Sequence, residues 1–156
     1  MANTTPFILT SRDRLYPHDQ IVNDYPVKVV SARFDAVALT AYKGSALATE
    51  DTTQLITIPA GAFVLNVTHK VVTAQGAAMT YDIGYDGNPD CFVDGADGNA
   101  ATDAASFNAA TSPAANGIGL YFSAANTVDL VFKTGACTIA VIDVSVTYIE
   151  VKPLAA

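Results

Sequence analysis

The sequence contains no tryptophan and few charged residues of either sign. Lys and Arg number 8 against 15 Asp and Glu, for a formal charge of -7, so the chain lacks the basic footprint that dominates nucleic-acid affinity. Without tryptophan it also lacks the largest aromatic face on which a sugar ring can stack. These absences disfavour nucleic-acid binding and weaken the case for a carbohydrate site.

Long apolar runs are also absent. No stretch approaches the roughly 18 consecutive apolar residues of a membrane span, and the opening MANTTPFILTSRDR lacks the basic-then-apolar order of a secretory signal. We therefore expect a soluble protein made in the cytosol, with no membrane partner. In that compartment Cys91 and Cys137 are expected to remain buried thiols and not to form a disulfide.

Catalytic patterns are missing as well. GxSxG, HExxH, CxxC and phosphate-loop motifs do not occur. His18 lies in a proline-rich stretch, and His69 lies on the apolar face of a predicted strand, where a histidine is more often a hydrogen-bonded core residue than a base. The sequence therefore predicts no enzyme and no cofactor.

Acidic residues are concentrated in the middle of the chain. No Lys or Arg lies between Lys70 and Lys133, and seven aspartates do. The run Asp86–Asp90 partly follows a calcium loop, but Cys91 stands where that loop requires glycine, and strands flank it where helices should. We predict an exposed acidic loop region without a strong metal site. Its aspartates are Asp86, Asp90, Asp94 and Asp97.

β-forming residues are abundant. The 16 Val and 17 Thr contrast with 13 Glu, Lys, Gln and Arg, the long polar residues that cover helix surfaces. A length of 156 residues fits one domain with a substantial core. Hydrophobic residues make up 51% and charged residues 15%, so much of the surface must be uncharged, as extensive subunit contacts require.

Alternation of apolar and polar residues predicts about eight or nine strands. In chain order they cover Lys28–Phe34, Ala36–Tyr42, Gln54–Ile58, Phe63–Val71, Met79–Tyr85, Cys91–Val93, Leu120–Phe122, Thr127–Lys133 and Cys137–Val151. Between them, Thr102 could cap a short helical turn over Asp103–Ala110. This spacing indicates an all-β fold, a β-sandwich of the jelly-roll type.

Two of these strands carry more detailed predictions. In the fourth strand, one core face should hold Phe63, Leu65, Val67, His69 and Val71. In the last strand the apolar residues change parity, which predicts a β-bulge near Ile142 or burial on both faces.

Residues 1–26 differ from the domain that follows, residues 27–156. Pro6, Pro17 and Pro26 interrupt any periodicity, while apolar residues remain frequent, so we predict an extended N-terminal arm that docks along another subunit. The alternative is that the arm folds back over an open end of its own domain. The predicted contact residues are Phe7, Ile8, Leu9, Arg12, Arg14, Leu15, Tyr16, Ile21 and Tyr25.

Several short sequence motifs between about Leu55 and Val151 follow one another in a recognisable order. They are Ile58-Pro59-Ala60-Gly61 before a long strand, Asp82-Ile83-Gly84 followed by Phe92-Val93-Asp94-Gly95, Tyr121-Phe122 with the turn Ala124-Ala125-Asn126, and the terminal Tyr148-Ile149-Glu150. This order resembles the head decoration, or cement, proteins of tailed bacteriophages.

The resemblance implies a jelly-roll subunit that forms a homotrimer on the exterior of a phage head. Its partner there would be the major capsid protein, whose subunit contacts it would stabilise without a cofactor, after assembly in the host cytoplasm. Phage tail and fibre modules contain similar sequence motifs. The alternative function is therefore a receptor-binding or carbohydrate-binding β-sandwich of a tail or fibre.

Overall fold

The computed structural model describes residues 26–101, 105–106 and 119–151. Apart from Pro26, the predicted arm lies outside these residues. The elements in chain order are β1 (Val27–Asp35), α1 (Ala36–Lys43), β2 (Thr52–Ile58), β3 (Ala62–Thr73), β4 (Thr80–Tyr85), β5 (Asn88–Asp97), β6 (Ala105–Ser106), β7 (Leu120–Phe122), β8 (Asn126–Thr134) and β9 (Val141–Glu150).

The strand pairing is nested and antiparallel. β1 pairs with β9, β2 with β8, β3 with both β6 and β7, and β4 with β5. Further pairing of β9 with β3 and of β8 with β4 completes two sheets. The first sheet has the order β1-β9-β3-β6, with β7 also on β3, and the second has the order β2-β8-β4-β5. The predicted all-β sandwich is confirmed, and the nested order is that of a jelly roll.

The hydrophobic core lies between the inner faces of the two sheets. Val67 of β3 and Val146 of β9 contribute from the first sheet, and Ile83 of β4 and Leu130 of β8 from the second. All four side chains are completely buried. Because burying one such side chain stabilises a fold by about 1.5–3 kcal/mol, these facing strands supply much of the stability.

Residues 36–43 form a helix, so the strand predicted over Ala36–Tyr42 is wrong. The Asp35 carboxylate accepts a hydrogen bond from the Ala38 amide at 3.1 Å and caps the N-terminus of α1. At the other end Gly44 adopts φ 77° and donates its amide to the Thr40 carbonyl at 2.8 Å. Local capping prevails over an apolar alternation that fits a strand equally well.

The core face of β3 changes parity part-way along the strand. Its buried side chains are those of Ala62, Val64, Val67, His69 and Val71. The register with β9 shifts between Val64 and Asn66, because one extra residue is inserted there as a β-bulge. Phe63 and Leu65, predicted in the core, are therefore only half-buried.

Three other boundaries differ from the prediction. β5 is longer than the predicted Cys91–Val93, and Ala105–Ser106 pair with β3 as a strand where a helical turn was expected. The rest of that predicted turn lies outside the described residues. β9 begins at Val141, and the register shift next to Ile142 lies in its partner β3, between Val71 and Thr73, not in β9 itself.

Candidate interaction surfaces

The outer face of the first sheet is largely uncharged. At one end an apolar row crosses four strands, because Val27 pairs with Ile149, Ile149 with Phe63, and Phe63 with Tyr121. Val27 is 62% exposed and Tyr121 is 50% exposed. A row of apolar side chains this open to solvent is a candidate subunit contact.

Hydroxyl groups occupy the middle of the same face. The Ser31 and Ser145 hydroxyls lie 2.7 Å apart, and Thr68 is the register neighbour of Ser145 on the other side. Because these side chains are short, this part of the face is flat. Flat, uncharged surface suits close packing against another protein, because no charge has to be desolvated.

The two cations of β1 are paired with acidic residues of β9. Arg33 of β1 donates two hydrogen bonds to the Asp143 carboxylate of β9, at 2.6 and 2.8 Å, and these bonds hold the pKa of Asp143 below its usual value. At the opposite end of β1, Lys28 pairs with Glu150 of β9. Both cations of β1 are thus directed toward β9 and away from the unpaired edge of β1.

The side of the sandwich that carries α1 is open. In the described part of the chain, β1 and β2 each have a strand partner on one edge only. Two grooves, of about 310 and 520 Å³, run between α1 and these strands and share Leu39, Tyr42 and Thr53 in their walls. Tyr42 stands 90% exposed. We define these two cavities as the α1 grooves.

Sequence reasoning missed the α1 grooves because it assigned their helix as a strand. The signal was present, since Asp35 is a helix N-cap and Gly44 is a C-terminal glycine, and the eight residues of α1 lie between them. A helix places Leu39 and Tyr42, three residues apart, on one face. A strand would have separated them onto opposite faces of a sheet.

Two aspartates on the second sheet, Asp82 of β4 and Asp129 of β8, are buried. Near them β5 passes close to Gly84 of β4, where a Cβ atom would lie 2.2 Å from the Asn88 carbonyl oxygen. Asp82 accepts a hydrogen bond from the Gly95 amide at 2.7 Å, whereas Asp129, 4% exposed, has a buried Oδ1 without a hydrogen-bond partner. Burial raises the pKa of both carboxyls.

The predicted acidic loop region surrounds this pair. Asp86, Asp94 and Asp97 are exposed as predicted, and Asp90 is half-buried. The prediction of a loop is wrong for Asp90, Asp94 and Asp97, because β5 extends over Asn88–Asp97. Within the described ranges, no three His, Cys, Asp or Glu side chains are grouped so as to hold a metal ion.

The remaining chemically active groups of the described domain lie in its core. His69 Nδ1 lies 2.7 Å from the Tyr81 hydroxyl, and burial lowers the pKa of the imidazole, so His69 is a hydrogen-bonded core residue as predicted. Burial raises the pKa of the Cys91 thiol to about 12 and that of the Cys137 thiol to about 11, so both stay protonated at neutral pH. This geometry offers no activated nucleophile.

The contact residues predicted in the arm, from Phe7 to Tyr25, lie outside the described residues, as does His18. They stay a prediction. Of the helices that the structure describes, none is long and apolar enough to cross a membrane.

Comparison with solved structures finds the same fold in bacteriophage capsids. A chain of the cyanophage Pam1 capsid asymmetric unit is 20% identical, with a TM-score of 0.61 over 92% of this chain and 98% of that one. A chain of the Ralstonia phage GP4 capsid is 15% identical, with a TM-score of 0.58 over 82% and 86%. This protein shares its fold with chains of phage capsids.

A third structure extends the likeness. A chain in the acidic stable capsid of Helicobacter pylori bacteriophage KHP30 is 14% identical, with a TM-score of 0.56 over 79% of this chain and 86% of that one. No family model and no curated protein sequence matches the chain. The likeness is therefore one of fold, and it extends over most of both chains in each case.

Proposed function

We propose that this protein is a virion structural protein that decorates the outside of a phage head and stabilises the contacts between capsid subunits. The observation that carries the proposal is the jelly roll shared, over nearly the full length of both chains, with a chain of the Pam1 capsid. The largely uncharged outer face of the first sheet supports it, since such a face suits repeated protein contacts. The buried His69 and thiols favour a role without catalysis.

The proposal includes a homotrimer and an attachment arm. The support for the arm is its sequence, in which apolar residues are frequent and three prolines interrupt any regular element. Residues 1–26 would contact neighbouring subunits, with the major capsid protein as the main partner. Apolar side chains such as Phe7, Leu15 and Tyr16 would fill shallow pockets there.

Reconstitution on undecorated heads tests this function. Purified full-length protein should co-sediment with heads that lack it and raise the temperature at which they rupture. A version beginning at Tyr25 should keep its melting temperature and oligomeric state but lose head binding. Loss of solubility on this truncation would make the arm part of the fold.

Immunolabelling of intact virions separates the two candidate locations. Uniform label over the head supports decoration. Label confined to the tail would overturn it in favour of a receptor-binding or carbohydrate-binding module.

A further inference from the structure

We infer that the α1 grooves of each subunit receive the N-terminal arm of a neighbouring copy of this chain. The inference rests on the oligomeric decoration protein proposed above and adds an arm contact to an interface between subunits that the domains themselves are proposed to form. Three features of the described domain lead to it: the shape and chemistry of the grooves, the unpaired strand edges beside them, and the length of chain that precedes β1.

The α1 grooves combine apolar walls with polar and charged groups. In the larger groove Leu39, Tyr42 and Leu47 lie beside the Lys43–Asp51 ion pair and the polar residues 52–54. In the smaller groove Phe34, Leu39 and Leu55 lie beside Arg33 and Asp35. Leu39 and Leu55 pack only partly against the core and leave apolar surface open. With Tyr42 90% exposed between the two grooves, apolar surface continues from one to the other. In a monomer this apolar surface would stay in contact with water, whereas covering it with another chain is favourable.

The strand edges beside the grooves can bind an extended backbone. β1 and β2 carry backbone groups on edges with no strand partner in the described chain, and such edges readily pair with an added strand. Charged side chains normally block this pairing. In β1, however, Lys28 and Arg33 are held by Glu150 and Asp143 of β9, which leaves Val29 to Ala32 as an uncharged edge.

The occupant is argued from the chain that precedes β1. The 25 residues before Pro26 contain the apolar pairs Ile8-Leu9, Leu15-Tyr16 and Ile21-Val22. Their spacing of about six or seven residues lets successive pairs contact separate apolar sites along an extended chain of roughly 3.3 Å per residue. The arm is thus both long enough and apolar enough for these grooves.

A neighbouring copy is the better source of this arm than the same subunit. The smaller α1 groove is lined by Arg33 to Asp35, at the C-terminal end of β1. At 3.3 Å per residue, this end lies roughly 26 Å from Val27, where the arm joins the domain. Reaching the grooves in the same subunit requires the chain to reverse direction within the arm. Pro26 restricts the preceding residue to extended conformations and so disfavours a tight reversal at the start of β1.

Limited proteolysis of the full-length oligomer tests the inference. Trypsin cuts after Arg12 and Arg14, and docking of Leu15-Tyr16 in a groove should shield the bond that follows Arg14. Tyr42→Glu places a charge between the grooves at a position too exposed to affect the core. We expect this variant to be cleaved about tenfold faster in the arm, equivalent to about 1.4 kcal/mol of lost docking free energy.

Val37→Glu is the matched control. Val37 lies on the same helix and is 57% exposed, but it does not line either groove. The arm of the Val37→Glu variant should be cleaved at the wild-type rate. Equal rates in wild type, Tyr42→Glu and Val37→Glu would overturn the inference.

Two further measurements show which subunit holds the arm and separate this inference from the proposed function. Protection that persists when the protein is diluted to monomers would place the arm in its own subunit and overturn exchange between copies. Binding to undecorated heads is measured on the same samples, so failure of head binding with intact arm protection would overturn the proposed function and leave the groove assignment standing.

Discussion

The ring of Phe34 in β1 lies against the ring of Phe132 in β8, with centroids 5.3 Å apart and ring planes at 50°. This contact joins the first sheet to the second at the end of β1 that leads into α1. Both side chains are buried. The contact therefore supports the core and, at the same time, positions the helix that borders the α1 grooves.

Removal of the Phe34 ring should destabilise the whole domain. Phe34→Ala leaves a cavity between the sheets, and such truncations cost about 3–5 kcal/mol. Chemical denaturation at fixed protein concentration measures the loss. Val29→Ala, on the exposed edge of the same strand, is the control and should change the free energy of unfolding by less than about 0.5 kcal/mol.

A charge on the inner face of the first sheet should prevent folding. Val67→Asp or Val146→Asp would bury an unpaired carboxylate between the sheets and should yield insoluble protein. Thr68→Asp places the same carboxylate on the outer face and should fold, and a loss of assembly without a loss of folding would mark that face as a subunit contact. Soluble yield and circular dichroism compare the variants, and equal yields of all three would contradict the assignment of faces.

The N-cap of α1 should contribute measurably to stability. Asp35→Ala removes the acceptor for the Ala38 amide and should lower the free energy of unfolding by about 1 kcal/mol. Asp35→Asn keeps a capping oxygen and should recover most of the loss. If the two variants were equally destabilised, the carboxylate would be acting through its charge and not as a cap.

The buried Asp129 should make stability depend on pH. Burial raises its pKa in the folded state, so the folded protein binds a proton more tightly than the unfolded chain. Its contribution is then most favourable below the unfolded pKa and is lost as pH rises through the folded pKa. Asp129→Asn should therefore raise the free energy of unfolding at pH 7, by about 1 kcal/mol, and have little effect at pH 3.

An exposed aspartate provides the comparison for this titration. Asp97→Asn keeps the oxygen that accepts from the Asn99 amide and removes a charge in contact with solvent. Denaturation curves across pH 3 to 8 should show no comparable gain for this variant. A gain of equal size would assign the effect to the overall negative charge and not to burial.

The isolated protein should be a homotrimer. Light scattering at micromolar concentration gives its mass, and circular dichroism should show a mainly β spectrum. A monodisperse monomer would contradict the oligomeric part of the proposed function.

A charge in the apolar row, such as Val27→Glu, should weaken assembly if that face forms the contact between copies.

Several elements could be predicted from the sequence because their signal is local. Strict alternation identified β8 and the second half of β3, where Val67 and Val71 are buried as predicted. Alternation did not identify the bulge between Val64 and Asn66, because an inserted residue is recognised only against the register of its partner β9. The helix was missed for a different reason: Ala36 to Lys43 fits both periods, and only the caps at Asp35 and Gly44 distinguish them.

The sequence by itself determined the class of the fold and the character of the surface. Its Val and Thr content, scarcity of charge and lack of catalytic motifs lead to a β-sandwich suited to protein contacts. Only the tertiary structure decided which surfaces are open and uncharged. Pairing of β1 with β9 turned Lys28 and Arg33 away from the open edge, and packing of α1 beside β2 created the grooves around Tyr42. Both depend on residues far apart in the chain, whose proximity local patterns do not encode.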